Sequence, residues 1–178
     1  DQENVFYYIT LLNENYPMPG LQAGTEEQII KGMYLLSEPQ PSAQGLQVNL
    51  LGCGSILRES IAAQKLLQED WGVSANVWSC PSFNELAREG QDCERWNLLH
   101  PTATPRVSFV AQQLGKYVGP VVASTDYMKA YAEQIRPFLP NGRRYKVLGT
   151  DGFGRSDSRA ALREFFEELG PERAALLE

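Results

Sequence analysis

Histidine occurs once in this chain, at His100, and cysteine three times, at Cys53, Cys80 and Cys93, with no C-x-x-C spacing. A zinc site draws its ligands chiefly from those two residue types, so no metal site is expected from this chain alone. An odd, scattered set of thiols reads as reduced cysteines in a cytosol, giving a cytoplasmic expectation. Basic residues are also scarce: 16 Lys and Arg against 22 Asp and Glu, a formal charge of −6. That balance supplies no footprint for nucleic acid or an anionic membrane. No apolar run approaches the ~20 residues of a membrane span. The start, Asp1-Gln2-Glu3-Asn4, has neither the basic leader nor the apolar core of a signal peptide, and it lacks an initiating methionine. A piece of a longer polypeptide is the expectation.

What remains is ordinary globular material, 43% apolar and 21% charged over 178 residues. That length fits one domain with a fragment of a second, and buries roughly 70% of its unfolded surface. The β-rich run Val5-Phe6-Tyr7-Tyr8-Ile9-Thr10 is closed by a polar, proline-containing stretch at 13–20. It reads as the end of one unit and the start of a linker. Thr25-Glu26-Glu27-Gln28 has capping-box spacing, predicting a short helix. Apolar runs at 32–36, 48–51, 75–80, 121–124 and 145–148 predict five strands. Between them, helical periodicity spans 56–71, stopped by Gly72, and 127–139, and a further helix opens at Ser82-Phe83-Asn84-Glu85 and runs past Trp96 towards Pro101. Residues 107–114 fit either a short helix or a strand, and a last helix is expected over 158–169. Strands alternating with amphipathic helices make a three-layer α/β/α domain around a largely parallel sheet.

The most informative segment is Asp151-Gly152-Phe153-Gly154-Arg155-Ser156-Asp157, set between the fifth strand and the last helix. Open α/β sheets place ligand and partner contacts in such loops. A tight turn capped by Ser156 or Asp157 explains about half of it, but not a phenylalanine beside an arginine. Gly52-Cys53-Gly54-Ser55 invites a phosphate-loop reading, yet position 57 is Leu57 where a dinucleotide fingerprint wants glycine. A tight strand-to-helix turn capped by Ser55 is the simpler account, with a freestanding nucleotide or phosphate binder as its rival. Asp126 and Asp151 each follow a strand, and capping the next element is the simplest job for both. Cys53 at a helix N-terminus could have a lowered pKa and act as a nucleophile, with only His100 available as its base. His100 itself sits at a helix end, where it favours the helix dipole. The charged stretch around Arg95 and Trp96 is either a solvated helix face or an anchored interface.

Four stretches carry a family resemblance: Tyr7-Tyr8-Ile9-Thr10 with Asn13-Glu14-Asn15-Tyr16; Gly90-Gln91-Asp92-Cys93-Glu94-Arg95-Trp96-Asn97; Ala123-Ser124-Thr125-Asp126-Tyr127-Met128-Lys129; and Val147-Leu148-Gly149-Thr150 running on through the Asp151 loop to Ser158-Arg159. Together they resemble the C-terminal part of the homodimeric bacterial pyruvate dehydrogenases, transketolase-like enzymes that use thiamine diphosphate and magnesium. The likeness runs from Gln2 to about Phe166. It implies a transketolase C-terminal-like domain over 25–178, with a five-stranded mixed sheet whose first strand is antiparallel to the rest. Residues 1–24 would be the tail of the preceding pyrimidine-binding domain and a linker.

The resemblance also limits function. Such enzymes hold the cofactor between their first two domains, at a dimer interface, with a Gly-Asp-Gly motif ending in asparagines. This chain has no such motif, so no catalytic residue is assigned to it, and alone it is expected neither to bind the cofactor tightly nor to decarboxylate pyruvate. The partners implied are the rest of the subunit, a homodimer partner and the lipoyl-bearing dihydrolipoyl acetyltransferase component. Asp151, Gly152, Phe153, Gly154, Arg155, Ser156 and Asp157 become the candidate active-site-entrance or interface loop, with Arg95, Trp96, His100 and Asp126 as further interface candidates. The stretch 167–173 departs from the family pattern, which predicts a shortened or altered final helix.

Overall fold

The computed structural model describes residues 3–7, 9, 15–39, 41–42, 45–158, 161–162 and 165. Five strands, β1 (Tyr34–Ser37), β2 (Gln47–Gly52), β3 (Ser74–Ser79), β4 (Val121–Ser124) and β5 (Tyr145–Leu148), form one sheet in the order β1-β3-β2-β4-β5. β1 runs antiparallel to β3, with an irregularity between Leu35 and Ser37, and every other pairing is parallel. The expected mixed five-stranded sheet is therefore present. β2 and β3 lie at its centre and are buried almost end to end, which is why both read as unbroken apolar or small-residue runs.

The helices α1 (Glu26–Ile30), α2 (Leu57–Trp71), α3 (Phe83–Leu99), α4 (Phe109–Leu114) and α5 (Lys129–Glu133) complete the layers. From β2 the chain turns one way to β3 through α2; from β3 it crosses back to β4 and on to β5. Right-handed crossovers then place helices on opposite faces. Two cores result. Val48, Leu50, Ala75 and Val77 pack with Leu57, Ala63 and Leu67 of α2. On the other face Leu51, Trp78, Val121, Ala123, Tyr145 and Val147 pack under Phe83, Leu86, Val110, Leu114, Ile135 and Phe138.

A polar cluster sits inside the second core. The Asn49 side chain is fully buried; its Oδ1 accepts from Asn76 Nδ2 at 3.1 Å and Trp78 Nε1 at 3.3 Å, and its Nδ2 donates to Val118 O at 2.9 Å. Arg143 secures the same turn by donating to the carbonyls of Leu114, Tyr117 and Gly119. Gly119 (φ 87) is required there, because a Cβ would collide with the Gln47 carbonyl.

Local signals resolve in detail. Gly72, left-handed at φ 64, ends α2, and Ser82 Oγ caps α3 by accepting from Glu85 N at 3.1 Å. Residues 107–114 settle as α4, capped by Ser108. Other expectations need correction. The strand over 5–10 does not form at Val5, Phe6, Tyr7 or Ile9, which are exposed and unpaired in any sheet; Tyr8 and Thr10 lie outside the described residues. Thr25 makes no capping-box bond, because its Oγ1 donates to Gln22 O at 2.6 Å. The helix over 127–139 splits into α5 and a 3-10 turn at Arg136–Phe138, since Pro137 has no amide to continue the ladder. The cap before the last helix is Ser158, whose Oγ accepts from Ala161 N at 3.3 Å; Asp157 instead accepts from Ser158 N. Ala161, Leu162 and Phe165 are helical. The rest of that helix and the divergent stretch 167–173 lie outside the described residues.

Two substitutions test this account. Asn49→Leu orphans two buried N–H groups and a carbonyl, and should cost about 3 kcal/mol in urea unfolding. Gly90→Ala would normally gain ~1 kcal/mol inside a helix. Here the added methyl meets the Phe138 ring, so the change should reverse sign to a loss of roughly 1–3 kcal/mol.

Candidate functional site

In a doubly wound sheet the crevice for ligands opens at the carboxyl ends of the strands where the winding reverses. That point lies between β2 and β4. Gly52 ends β2 tightly against α2: a Cβ there would meet the Leu57 backbone at 2.7 Å. Gly54 (φ 60) then turns the chain into the short 3-10 segment Gly54–Ile56 that leads α2, confirming the tight strand-to-helix turn. Ser55 does not cap the helix. Its Oγ donates to Asp126 Oδ2 at 2.9 Å across the crevice, while Cys53 N donates to Ser124 O at 3.1 Å.

The neighbouring strand end is tied in by the same segment. Thr150 Oγ1 donates to Asp126 O at 2.9 Å and Thr150 N to Tyr127 O at 2.9 Å. Asp151 accepts from Lys129 N at 3.0 Å and pairs with Lys129 Nζ at 3.5 Å. Each aspartate therefore serves an element earlier in the chain than expected: Asp126 the start of α2, Asp151 the start of α5. The Asp126 carboxylate also removes the phosphate-loop reading. A bound phosphate at Gly54 and Ser55 would face a fixed negative charge, and the serine hydroxyl is already committed to it.

Cys53 is no activated nucleophile either. Burial, then the Asp126 charge, push its thiol up to about 11, against a lowering by the Tyr131 hydroxyl. Cys80, completely buried, is raised by burial and then by Cys53. Cys93 is pushed to about 11 by burial, with Glu89 accepting its S–H at 3.2 Å. Helix N-termini lower thiol pKa only where desolvation and a nearby anion do not outweigh them. His100 is far along the chain at the end of α3, where its Nδ1–H donates to Trp96 O at 2.8 Å.

The loop at 151–157 stands out from this closed edge. All seven residues are exposed, Phe153 at 95%. Gly152 takes φ 104, and Arg155 stacks on Phe165 at 4.1 Å. Tyr127 and Met128, also exposed, lie on the segment that Thr150 bonds. Elsewhere, Trp96 is held between His100, stacked at 4.5 Å, and the Arg106 guanidinium at 4.3 Å. Sequence reasoning named Trp96 and His100 but missed Arg106, which a proline-flanked loop returns to the helix. Among the described residues no three His, Cys, Asp or Glu side chains are grouped to hold a metal ion. No described helix is long and apolar enough to cross a membrane. At the strand ends the Asp126 carboxylate opposes a diphosphate, and no described group of carboxylates stands there to hold magnesium.

A mixed five-stranded sheet with one antiparallel edge and helices on both faces defines an α/β domain of transketolase C-terminal architecture. The chain belongs to the transketolase-like TK C-terminal domain family, whose model matches residues 32–168. It is 60% identical over 167 residues to a pyruvate dehydrogenase E1 component of Cupriavidus necator, covering 94% of this chain and 18% of that protein. The Escherichia coli K12 E1 component is 58% identical over 166 residues, with 93% and 18% covered. The chain thus spans about a fifth of the length of the curated relatives it matches. Among solved structures, transketolase from Campylobacter jejuni superposes with a TM-score of 0.51 at 19% identity, covering 92% of this chain and 20% of that one. A Pichia stipitis transketolase superposes at 0.52 and 20% identity, covering 89% and 19%.

Thiol chemistry provides the check. At pH 7.5 iodoacetamide should alkylate Cys53 about 100-fold more slowly than an unperturbed thiol, and Asp126→Asn should speed it by removing the adjacent charge. The raised thiol values favour the protonated fold. The contribution of the protonated Cys53 thiol to stability should therefore be full below about pH 8.5, the ordinary thiol value, and be lost as pH climbs through about 11.

Proposed function

We propose that this chain is the C-terminal structural and interface domain of a thiamine diphosphate-dependent pyruvate dehydrogenase subunit. The parent decarboxylates pyruvate in the cytoplasm and passes the acetyl group to a lipoyl-bearing acetyltransferase, working as a homodimer. The observation that carries the reading is 60% identity across 94% of the chain, against a relative more than five times as long. Residues 25–178 are the domain itself, and residues 1–24 the tail of the pyrimidine-binding domain before it. The exposure of Val5, Phe6, Tyr7 and Ile9 supports that boundary, since a β-rich apolar run without a sheet to join suits a strand whose partners lie elsewhere.

In this reading the cofactor and magnesium are held by the other domains, and the present residues contribute rigidity and contact. The Ser55–Asp126 and Thr150–Asp126 bonds close the strand ends and hold the base of the 151–157 loop. Phe153 then reaches outward from a stiff edge, to pack against the active-site entrance or the partner subunit.

The test uses the full-length parent subunit. Phe153→Ala, and separately Arg155→Ala with Asp157→Ala, should reduce pyruvate turnover or weaken dimerisation by about tenfold, the scale of an interface anchor. Phe153→Ala should leave the unfolding of the isolated chain unchanged. Unaltered turnover and unaltered dimer mass would remove the loop from the function, and pyruvate turnover by the isolated chain would overturn the reading as a whole.

A further inference from the structure

The end of α3 carries a second built surface, remote in sequence from the 151–157 loop. Leu98 is 80% exposed, Leu99 59% and Val107 53%. They are held in place by unusually specific local contacts. Asn97 Nδ2 donates to Arg106 O at 2.9 Å and Arg106 N donates to Asn97 Oδ1 at 2.7 Å, a two-point clamp that sets Arg106 and Val107 beside the last turn of the helix. Trp96 is fixed between the His100 ring and the Arg106 guanidinium. A tryptophan and arginines on a preformed frame are residue types enriched in interaction hot spots, and the leucines add apolar area beside them.

Charge specifies the occupant. Arg95 and Arg106 have no ion-pair partner among the described residues, whereas Arg88, one turn back, is engaged by Glu85 and Asp92. Beside the exposed leucines the patch thus carries two guanidiniums without an ion pair, with Glu94 one turn before Leu98, on a chain of net charge −6. A second copy binding through the same patch would bring four guanidiniums into one interface, with like charges opposed wherever they lie near the two-fold axis. We propose that this surface docks an acidic polypeptide segment bearing apolar anchors, supplied by the remainder of the parent subunit. The proposal rests on the function proposed above, under which some four-fifths of the subunit is tethered to this domain and present at high effective concentration.

Hydroxyl-radical footprinting, read by peptide mass spectrometry, tests it on the full-length subunit with this chain alone as reference. Oxidation of Leu98 and Leu99 should fall at least about fivefold in the full-length protein, the protection expected of side chains buried in an interface. Arg95→Glu combined with Arg106→Glu should restore it, Arg95→Glu alone should restore part of it, and Arg95→Lys should not. Circular dichroism of each variant confirms that it folds, and the single exposed change at Arg95 decides if the double variant does not. Phe153 separates the two readings. If Phe153 is protected and Leu98 and Leu99 are not, the docking proposal falls while the domain reading stands; if none is protected, the docking proposal and the contact role of the 151–157 loop both fall. Protection already present in this chain alone and lost on dilution would assign the patch to a second copy and overturn the proposal.

Discussion

One buried amide sets the frame of this domain. Asn49 sits on the middle strand of the sheet with no access to solvent, and its single side chain meets Asn76 and Trp78 on the neighbouring strand and the Val118 carbonyl before β4. In a strand apolar on both faces an apolar side chain there would discriminate between registers only weakly, because hydrophobic contact is non-directional. Asn49 has three partners in one alignment only. That alignment pairs Gly52 with Ser79 on one side and with Ser124 on the other, so the strand ends inherit their positions from a cluster near the opposite edge. Buried polar groups of this kind are costly when incomplete and specifying when satisfied.

At those strand ends the sheet does something at odds with its architecture. The winding reverses between β2 and β4, the place where α/β proteins usually receive a phosphate or a nucleotide. Here a hydrogen bond links Ser55 to Asp126 across it, and the carboxylate gives the spot the wrong sign for an anion. The adjacent thiol is protonated for the same reason, since the desolvation that buries it and the charge beside it both oppose a thiolate. The Ser55–Asp126 bond ties the ends of β2 and β4 together and engages the hydroxyl and the carboxylate with each other.

Much of this was legible in the sequence and some of it was not, for physical reasons. The strands showed as short, largely apolar runs: β2 and β3 because they are buried on both faces, the others because at least alternate residues face a core. Gly72 and Ser82 announced the end of α2 and the start of α3 because capping is local chemistry. The failures were long-range. Ser55 looked like a cap until Asp126, 71 residues away, proved to be its acceptor. Asn49 was unremarkable within Val48-Asn49-Leu50-Leu51, since nothing local states that an asparagine will be buried. The run at 5–10 has every local mark of a strand, yet a strand exists only where another chain segment pairs with it. Pro137 was visible and its effect underweighted: it ends α5 where the helical periodicity alone would run on.

The distribution of apolar surface follows from these constraints. A domain whose polar bonds are spent internally, and whose two cores are filled, has no stability reason to expose Phe153, Leu98, Leu99 or Phe6. Isolated exposed apolar residues are common on any protein and need no account. These are different in kind, because several are presented by frames that cost order to build: a glycine at φ 104 beside Phe153, and the Asn97–Arg106 clamp beside Leu98 and Val107. Burying a large apolar side chain against a partner gains about 1.5–3 kcal/mol, and more of that gain survives when the presenting backbone is already fixed. A rigid sheet edge and a rigid helix end therefore make better contact surfaces than mobile loops would. Under the proposed function, internal hydrogen bonds such as the Asn97–Arg106 pair supply the stiffness from which external apolar groups contribute affinity.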